Sequence, residues 1–334
     1  MLGALGILNI ISMVGIGGAL AELRTTDTFK RYRNNYNRRI VIRQIKRIFT
    51  EIFKAKNIKV EKDSGKVSYP IIKEVNFIEY GFKADIDISL VCSIKDIEGI
   101  QDYIKSAFKA YEVQIEEIEG IISISIYKEP LKDKLYKKVA LSPYKLLLGH
   151  SYKGNIIADM RINPYLLICG LGGSGKTQMA KTIINNLENA DVVILNAYKD
   201  DFKAYDGLFI NGDKNILEYL NSCLEMNIER CRPMYLLIDE LVVLCRNKEI
   251  SKAITDLLAV ARHSNIYIIG ISQIGTKEQL KFKDLFNSRV CMKFIENSAY
   301  QTVLGCGVDG ALKQREFYLY SDGLYRGKTF INSI

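Results

Sequence analysis

A glycine-rich segment in the middle of the chain most constrains its fold. It runs from Gly170 to Gln178 and reads Gly-Leu-Gly-Gly-Ser-Gly-Lys-Thr-Gln. The apolar run Tyr165–Cys169 before it predicts a buried strand, and apolar residues at helical spacing follow it. A strand, the pattern Gly-x4-Gly-Lys-Thr and a helix form the context of a phosphate-binding loop, whose N–H groups face phosphates at the positive end of the helix. The segment therefore predicts a nucleotide site.

The residues of this loop have distinct expected roles. Those expected to bind ATP are Gly170, Leu171, Gly172, Gly173, Ser174, Gly175, Lys176, Thr177 and Gln178. Lys176 is expected to reach the β- and γ-phosphates, and the hydroxyl of Thr177 to coordinate Mg²⁺. The alternative is a simple glycine-rich turn, which the flanking strand and helix disfavour.

Two carboxylates end a second apolar run further along the chain. Met234–Ile238 predicts a strand, and Asp239 and Glu240 follow it directly. We expect Asp239 to hold Mg²⁺ through water and Glu240 to polarise the attacking water. The alternative is a strand that simply ends in solvated acids. A later apolar run ends at Gln273, which would sense the γ-phosphate at the carboxyl edge of the same sheet.

Length and composition limit the classes of protein and partner. A chain of 334 residues, 48% of them hydrophobic, can form roughly two domains with a sizeable core. Its formal charge of +9 favours an acidic partner, either nucleic acid or anionic lipid. Seven cysteines scattered through predicted core segments indicate a reducing compartment. With two histidines and no paired cysteine motif, the sequence supports neither a zinc site nor a Ser/His triad.

The first 23 residues predict an N-terminal transmembrane helix. Residues Leu2 to Ala21 carry no charge and are numerous enough to span a bilayer. No Lys or Arg precedes them, which argues against a cleaved signal peptide. The basic stretch after them places the remainder in the cytoplasm, so we expect a single-pass protein of the cell membrane. The alternative is a glycine-rich soluble helix buried against a partner.

The rest of the chain divides into three further segments. Residues 24–57 predict a basic juxtamembrane segment with an amphipathic helix over Ile40–Phe53. Residues 58–138 predict a small α+β domain, and residues 139–334 an α/β P-loop NTPase domain of RecA-like fold with a parallel sheet core. In the α+β domain the patterns predict strands at Ile58–Lys62, Lys83–Val91 and Gly120–Tyr127, a helix over Ile94–Tyr111, and a charged linker over Lys128–Lys138.

From about residue 141 to 330 the order and spacing of motifs resemble the FtsK/SpoIIIE motor domain of the FtsK-HerA superfamily. The likeness is carried by Leu146–Met160, Pro164–Thr177, Cys223–Arg230, Ile238–Leu241, Ala259–Gln273 and Phe286–Val290. The α+β domain resembles the family's DNA-track region more weakly. Members of the family are hexameric ring ATPases that pump double-stranded DNA through a central pore. The resemblance therefore implies a homo-hexamer, double-stranded DNA as partner, and ATP hydrolysis coupled to translocation.

The resemblance also assigns a trans-acting arginine. Arg262 corresponds to the family's arginine finger, which reaches the γ-phosphate of a neighbouring subunit, and Arg289 is a lesser candidate for the same neighbourhood. Without the resemblance, Arg262 would be read as a solvated or salt-bridged residue.

Departures from the chromosome translocases refine the comparison. The segment between Arg230 and Met234 is short, one span replaces a multi-span anchor, and we expect no C-terminal winged-helix module. These features resemble the TcpA-type coupling ATPases of conjugative elements, whose partners include a relaxase or other transfer-apparatus proteins. Two alternatives stay open: a packaging or assembly ATPase of a virus or mobile element, and a membrane-tethered nucleotide-binding scaffold that does not pump DNA.

Overall fold

The computed structural model describes residues 35–61, 65, 67–118, 120–203, 205–226, 230–278, 280, 282–308 and 312–332. The chain forms two compact units, the first ending at Pro130 and the second beginning at Leu131. The predicted transmembrane segment, residues 1–23, lies outside the described residues. Among the helices that are described, none is both long and apolar enough to cross a membrane.

The first unit is an antiparallel sheet packed with helices. Its strands, in spatial order, are β3 (Ile71–Ile78), β4 (Gly81–Asp87), β6 (Ile121–Tyr127) and β5 (Glu112–Ile118), and β1 (Val60–Glu61) pairs separately with β2 (Val67–Ser68). Its helices are α1 (Asn35–Ala55), α2 (Ile94–Glu98) and α3 (Gln101–Ala107). The strands predicted over Lys83–Val91 and Gly120–Tyr127 are thus present as β4 and β6, while β3 and β5 were not predicted.

Helix α1 belongs to the core of the first unit. Its apolar residues recur at helical spacing, so that Ile45, Phe49 and Phe53 lie on one buried face. Phe49 packs on Phe108 with ring centroids 4.9 Å apart, and Phe108 packs on Phe82 at 5.2 Å. The helix predicted over Ile40–Phe53 is confirmed, and its apolar stripe contacts the α+β domain that was expected to begin after it.

The prediction of a single helix over Ile94–Tyr111 is wrong. The segment forms two short helices, and the break falls at Gly99 and Ile100, where Ile100 has φ −108° and ψ 10°. Glycine is a poor helix former, which favours an interruption at this point. The chain then turns at Lys109, whose φ is 48°, and enters β5 at Glu112.

The second unit is built on a ten-stranded sheet. Its strands are β7 (Lys145–Ser151), β8 (Gly154–Asp159), β9 (Tyr165–Cys169), β10 (Asp191–Leu195), β11 (Leu208–Ile210), β12 (Met234–Ile238), β13 (Ile266–Ser272), β14 (Ser288–Met292), β15 (Glu316–Tyr320) and β16 (Leu324–Lys328). Their spatial order is β11-β10-β12-β13-β9-β14-β15-β16-β7-β8.

This sheet is mixed rather than wholly parallel. The strands from β11 to β14 in that order run parallel, as predicted. The other four extend the sheet in antiparallel fashion, which corrects the expectation of a parallel sheet. The reason lies in the connections: β7 and β8 are joined by the turn Tyr152–Lys153 and β15 and β16 by Ser321–Gly323, which are too short for a crossover helix.

Helices cover both faces of the sheet. They are α4 (Lys176–Asn186), α5 (Asp213–Leu224), α6 (Leu241–Leu244), α7 (Lys248–Val260) and α8 (Asn297–Leu304). Helix α4 packs on one face, where Met179 contacts the cluster around Leu166, and α5 and α7 pack on the other, around Leu167. Because the parallel strands point the same way, the residues that follow β9, β10, β12 and β13 gather at one edge, which we call the carboxyl edge.

The charged segment Lys128–Lys138, predicted as a linker, belongs to the second unit from Leu131 onward. The N–H of Tyr136 donates to Ile331 O at 2.8 Å, and the N–H of Ile331 donates to Lys134 O at 2.9 Å. The N–H of Val139 donates to the side-chain oxygen of Asn186 at 2.8 Å. This segment therefore lies along the C-terminal residues and the end of α4.

All seven cysteines are described and none is in a disulfide. Cys231 is exposed and the other six are buried or half-buried. Cys169 and Cys291 are neighbours on β9 and β14, and burial raises the pKa of Cys169 to about 12. The thiol of Cys169, next to the glycine-rich loop, therefore stays protonated at neutral pH.

Candidate active site

The glycine-rich loop joins β9 to α4 by a path that needs glycine at several positions. Gly173 has φ 72° and Gly175 has φ 115°, conformations that side chains disfavour. A Cβ on Gly170 would lie 2.7 Å from the hydroxyl of Ser174 and 2.8 Å from Cβ of Met292. The glycines of the sequence pattern are therefore the residues that the backbone path of the loop requires.

The loop presents N–H groups that the protein itself does not use. The bonded ones are those of Gly170, Leu171 and Ser174, which donate to backbone carbonyls. Those of Gly172, Gly173 and Gly175 have no acceptor within the described part of the chain. They lie beside the first turn of α4, whose N–H groups also lack intrahelical acceptors. Phosphate oxygens are the ligands that such an array fits.

Lys176 lies inside this loop. Its side chain is buried, and Nζ donates to Gly170 O at 2.8 Å and to Leu171 O at 3.0 Å. Burial lowers the pKa of Lys176, while the charges of Glu240 and Asp239 act in the opposite direction. The ammonium is thus held next to the free N–H groups, where it can offset phosphate charge.

The next two loop residues differ in their surroundings. Thr177 is exposed at the first turn of α4, where its hydroxyl is free to bind a cation. Gln178 is engaged by the C-terminal segment: the N–H of Asn332 donates to its side-chain oxygen at 2.9 Å, and the side chain of Asn332 donates to its carbonyl at 2.9 Å. The side chain of Gln178 therefore fastens α4 to the C-terminal residues.

Asp239 is fixed at the carboxyl edge by its neighbours. Its N–H donates to Leu195 O at 2.9 Å, and its carbonyl accepts from the side chain of Asn196 at 3.1 Å. Burial, and then the charge of Glu240, raise the pKa of Asp239 to about 6. A half-buried carboxylate of this kind fits a divalent cation, and Thr177 and Asp239 are the residues that would hold Mg²⁺. When bound, Mg²⁺ supplies positive charge that offsets the charge of the phosphates.

Glu240 adopts a strained backbone conformation beside Gln273. It has φ 50° and ψ 43° and precedes α6. The side-chain amide of Gln273 donates to the carboxylate of Glu240. Gly270 allows this approach, because a Cβ there would lie 2.5 Å from Cδ2 of Leu241, the first residue of α6. A glycine within β13 thus allows α6 to pack close to that strand, and the carboxylate of Glu240, directly before α6, lies at the end of β13.

Four of the predicted side chains therefore come together. Lys176, Asp239, Glu240 and Gln273 all lie at the carboxyl edge, and a Cβ on Gly172 would be 3.4 Å from the side-chain oxygen of Gln273. The N–H groups and Lys176 can bind phosphates, and the carboxylate of Glu240, oriented by Gln273, can take a proton from a water molecule. This arrangement fits phosphoryl transfer to water.

One family model and several solved structures are similar to this chain. Residues 166–292 match the family described as "ATPase family associated with various cellular activities (AAA)". The pCW3 conjugation coupling protein TcpA, solved in a monomer form with ATPγS, superposes with a TM-score of 0.57 at 15% identity, covering 85% of this chain and 94% of that one. The chain is a P-loop ATPase, and its fold is similar to that of TcpA.

Two further solved ATPases share this fold over shorter stretches. Thermomonospora curvata EccC (ATPases 2 and 3), in complex with a signal sequence peptide, has a TM-score of 0.50 at 13% identity, covering 73% of this chain and 50% of that one. EssC (ATPases 2 and 3) from Geobacillus thermodenitrificans has a TM-score of 0.50 at 12% identity, covering 61% and 48%. The chain thus spans about half of each. No curated protein sequence matches it.

Arg262 and Arg289, the two candidates for a trans-acting arginine, lie away from the phosphate-binding loop of their own chain. Arg262 is exposed in the turn Ala261–Ser264, and its N–H donates to the hydroxyl of Tyr165 at 3.2 Å. Tyr165 begins β9 and the loop follows its end, so Arg262 lies at the opposite, amino edge of the sheet. The five-residue strand β9 spans roughly 16 Å and lies between this contact and the loop, which keeps Arg262 from the loop of its own chain.

The side chain of Arg289 contacts residues outside the candidate active site. It lies within β14, with Nη1 3.6 Å from Asp284 and its guanidinium 5.0 Å from the ring centre of Tyr320. It therefore does not join the cluster of Lys176, Asp239, Glu240 and Gln273.

Sequence reasoning missed two residues of this P-loop ATPase that touch the loop. The N–H of Arg315 donates to Ser174 O at 2.8 Å, and the side chain of Gln314 donates to Gly173 O at 3.3 Å. The Gln314 bond joins residues 141 positions apart. No local pattern around Gln314 and Arg315 indicates such a contact, because it depends on the pairing of β15 with β14.

Proposed function

We propose that this ATPase is a membrane-anchored motor that assembles as a hexameric ring and moves double-stranded DNA in conjugative transfer of a mobile element. The observation that carries the proposal is the likeness to the coupling protein TcpA, which covers 94% of that chain. The second unit makes up less than two thirds of the present chain, so a likeness over 85% of it also includes part of the first unit.

The charge of one cleft in the first unit supports a polyanionic partner. An open cleft of about 930 Å³, which we call the basic cleft, lies between α1 and β3. Its basic lining residues are Arg38, Arg39, Arg43, Lys46 and Lys73, and Glu74 is its acidic one. The ammonium of Lys46 donates to Ile72 O at 2.8 Å and is thereby held at the cleft. A row of guanidinium groups on a helix suits contact with a phosphate backbone.

The position of Arg262 supports a ring with shared sites. This arginine is exposed at the amino edge, and the length of β9 separates it from the loop of its own chain, so a γ-phosphate within its reach would belong to another subunit. Arginines acting in trans raise the rate of phosphoryl transfer by about 10³–10⁵ in well-studied systems. A closed ring places one such boundary at every site.

DNA-dependent ATP hydrolysis tests the proposal. We expect double-stranded DNA to raise kcat, and the stimulation to fall steeply as salt rises, because phosphate contacts release counterions. Lys176→Ala protein serves as the control for contaminating ATPases. Absence of stimulation at low salt in an assembled sample would reject DNA as the substrate. Stimulation by signal-type peptides instead would favour a protein substrate.

Deletion of residues 1–23 tests the proposed anchor. We expect the shortened protein to leave the membrane fraction and to bind ATP as before, because the loop lies in the second unit. Pelleting that persists at high salt would place the anchor elsewhere. Pelleting that salt reverses would point to electrostatic binding through basic residues such as those after residue 23.

A further inference from the structure

Arg315 holds a backbone conformation that an arginine disfavours. Of the eight described non-glycine residues with positive φ, four are asparagine, which tolerates this region best. The others are Leu90, Lys109, Glu240 and Arg315, and the last two flank the phosphate-binding loop. Arg315 has φ 67°, a position at which glycine would be unstrained. A strained backbone conformation that persists beside a reaction centre points to a function of that residue.

The backbone of Arg315 is in contact with the loop. Its N–H donates to Ser174 O at 2.8 Å, and a Cβ on Gly175 would lie 3.2 Å from its Cα and 3.0 Å from its Cγ. Gln314 adds the bond from its side chain to Gly173 O. The two residues therefore contact the stretch of loop from Gly173 to Gly175, which carries free N–H groups.

The side chain of Arg315 is anchored by a shared carboxylate. Nη2 of Arg315 lies 2.5 Å from Oδ2 of Asp133, and Nζ of Lys328 lies 2.5 Å from Oδ1 of the same residue. Lys328, and then Arg315, lower the pKa of Asp133. Nε of Arg315 is buried and has no acceptor in the described part of the chain. The conformation of Arg315 is therefore destabilised twice, by an unsatisfied buried donor and by the left-handed backbone.

We propose that Arg315 is a positioning residue of the phosphate-binding loop, and that it acts through its ion pair with Asp133. The pair fixes the backbone at residue 315, and this backbone fixes the carbonyl of Ser174 and the space around Gly175. The loop then presents its N–H groups in the geometry that phosphates require. The proposal concerns nucleotide binding and basal hydrolysis, so it stands whether or not DNA is the substrate.

The test compares ATP binding and basal ATP hydrolysis in the full-length protein. We expect Arg315→Ala to lower kcat/KM for ATP by roughly 10²-fold, the loss typical of a 1 Å misplacement. Arg315→Gly relieves the strain but lacks the side chain, and should lose as much activity while unfolding at a higher temperature than Arg315→Ala. Arg315→Lys should recover part of the activity, since lysine can still pair with Asp133.

Asp133 distinguishes positioning from direct contact with ATP. Asp133→Ala should reproduce most of the Arg315→Ala defect. Because Asp133→Ala also breaks the pair with Lys328, the double variant is compared with Asp133→Ala, and it should be no worse, since the Arg315–Asp133 pair is then already lost. Arg230→Ala is the matched control: it breaks an arginine–aspartate pair of similar exposure, with Asp191, at the amino edge. We expect it to leave ATP affinity unchanged.

Three outcomes would overturn the proposal. Normal activity in Arg315→Gly would show that the side chain is dispensable. Normal activity in Asp133→Ala together with an inactive Arg315→Ala would assign Arg315 a direct contact with the nucleotide. An equal loss of ATP affinity in Arg230→Ala would show that any arginine–aspartate pair has this effect. A melting temperature measured for each variant without nucleotide separates loss of fold from loss of loop geometry.

Discussion

Glu240 differs from an ordinary surface glutamate in two respects. Its backbone is left-handed, and its carboxylate accepts a hydrogen bond from Gln273. Glutamine at this position keeps an oxygen for that bond but cannot take a proton from water. We expect Glu240→Gln to bind ATP like the parent and to hydrolyse it about 10²–10⁴-fold more slowly, the usual contribution of a general base.

Measured ATP affinity and kcat together check this prediction. Glu218→Gln, on the exposed surface of α5, is the control for removal of one negative charge. Hydrolysis by Glu240→Gln at near the parent rate would mean that another group activates the water.

We expect Asp239 to lower the stability of the protein that lacks nucleotide. Its pKa is raised from 3.8 to about 6 by burial and by Glu240, so ionisation costs the folded state more than the unfolded one. The cost grows as pH rises from about 4 to 6 and is complete above that. We expect Asp239→Asn to raise the free energy of unfolding by about 1–2 kcal/mol at pH 8.

Thermal unfolding across pH checks the sign of this effect. The advantage of Asp239→Asn should shrink below pH 6 and vanish only below 3.8, the ordinary pKa of this carboxyl, where the parent carboxyl becomes protonated in both states. With MgATP present the order should reverse, because the variant loses the ligand's stabilisation. An asparagine variant that melts below the parent at pH 8 without nucleotide would contradict the assignment.

Among the elements, α1 shows what an amphipathic pattern predicts and what it leaves open. The spacing of its apolar residues predicts the helix, but not that Phe49 packs against Phe108 in the α+β core. Phe49→Ala should destabilise the first unit by about 3–5 kcal/mol, since the side chain is fully buried. Arg47→Ala, on the exposed face of the same helix, should have little effect.

Limited proteolysis together with thermal unfolding measures this difference. The cleavage sites of Phe49→Ala should fall in the first unit, and its ATP binding should persist if the second unit stays folded. Equal resistance of the Phe49 and Arg47 variants would mean that α1 does not contribute to the core.

The parallel strands were predictable because each is a short, continuous apolar run that is buried on both faces. The strands from Tyr165, Asp191, Met234 and Ile266 follow this rule. The antiparallel extension was not predictable, because the β16 partner of His150 is Lys328, far away in sequence. The same remoteness hides Arg315, whose contact with Ser174 depends on where β15 lies. Local sequence patterns therefore predict the phosphate-binding loop and the acidic residues after β12. The residues that hold the loop in place, such as Arg315, depend on strand pairing between distant parts of the chain and are not predicted.

At the scale of the whole molecule, the distance between Arg262 and the loop leads to a mixing experiment. Arg262→Ala and Lys176→Ala proteins should each hydrolyse ATP very slowly. In a mixed ring, some boundaries join an intact Lys176 loop to an intact Arg262 of its neighbour, so part of the activity should return. The control is a mixture of Arg262→Ala with the Lys176→Ala/Arg262→Ala double variant, in which no boundary is complete.

Mass measurement of the mixed assemblies must accompany the rates. Recovery in the first mixture and not in the second supports an arginine that acts in trans. No recovery in proven mixed assemblies would leave Arg262 as a structural residue that contacts Tyr165.

The exposed thiol of Cys231 has a practical consequence for studying this molecule. It lies between Arg230, whose N–H donates to Ser264 O, and the start of β12, and therefore on the same edge as Arg262. Burial raises the pKa of both Cys92 and Cys245 to about 11, which makes them poor nucleophiles. Cys231 is also the one exposed thiol of the seven, so a maleimide dye should react preferentially with it. Energy transfer between labelled copies would report on this edge during ATP turnover, with every cysteine of the chain left in place.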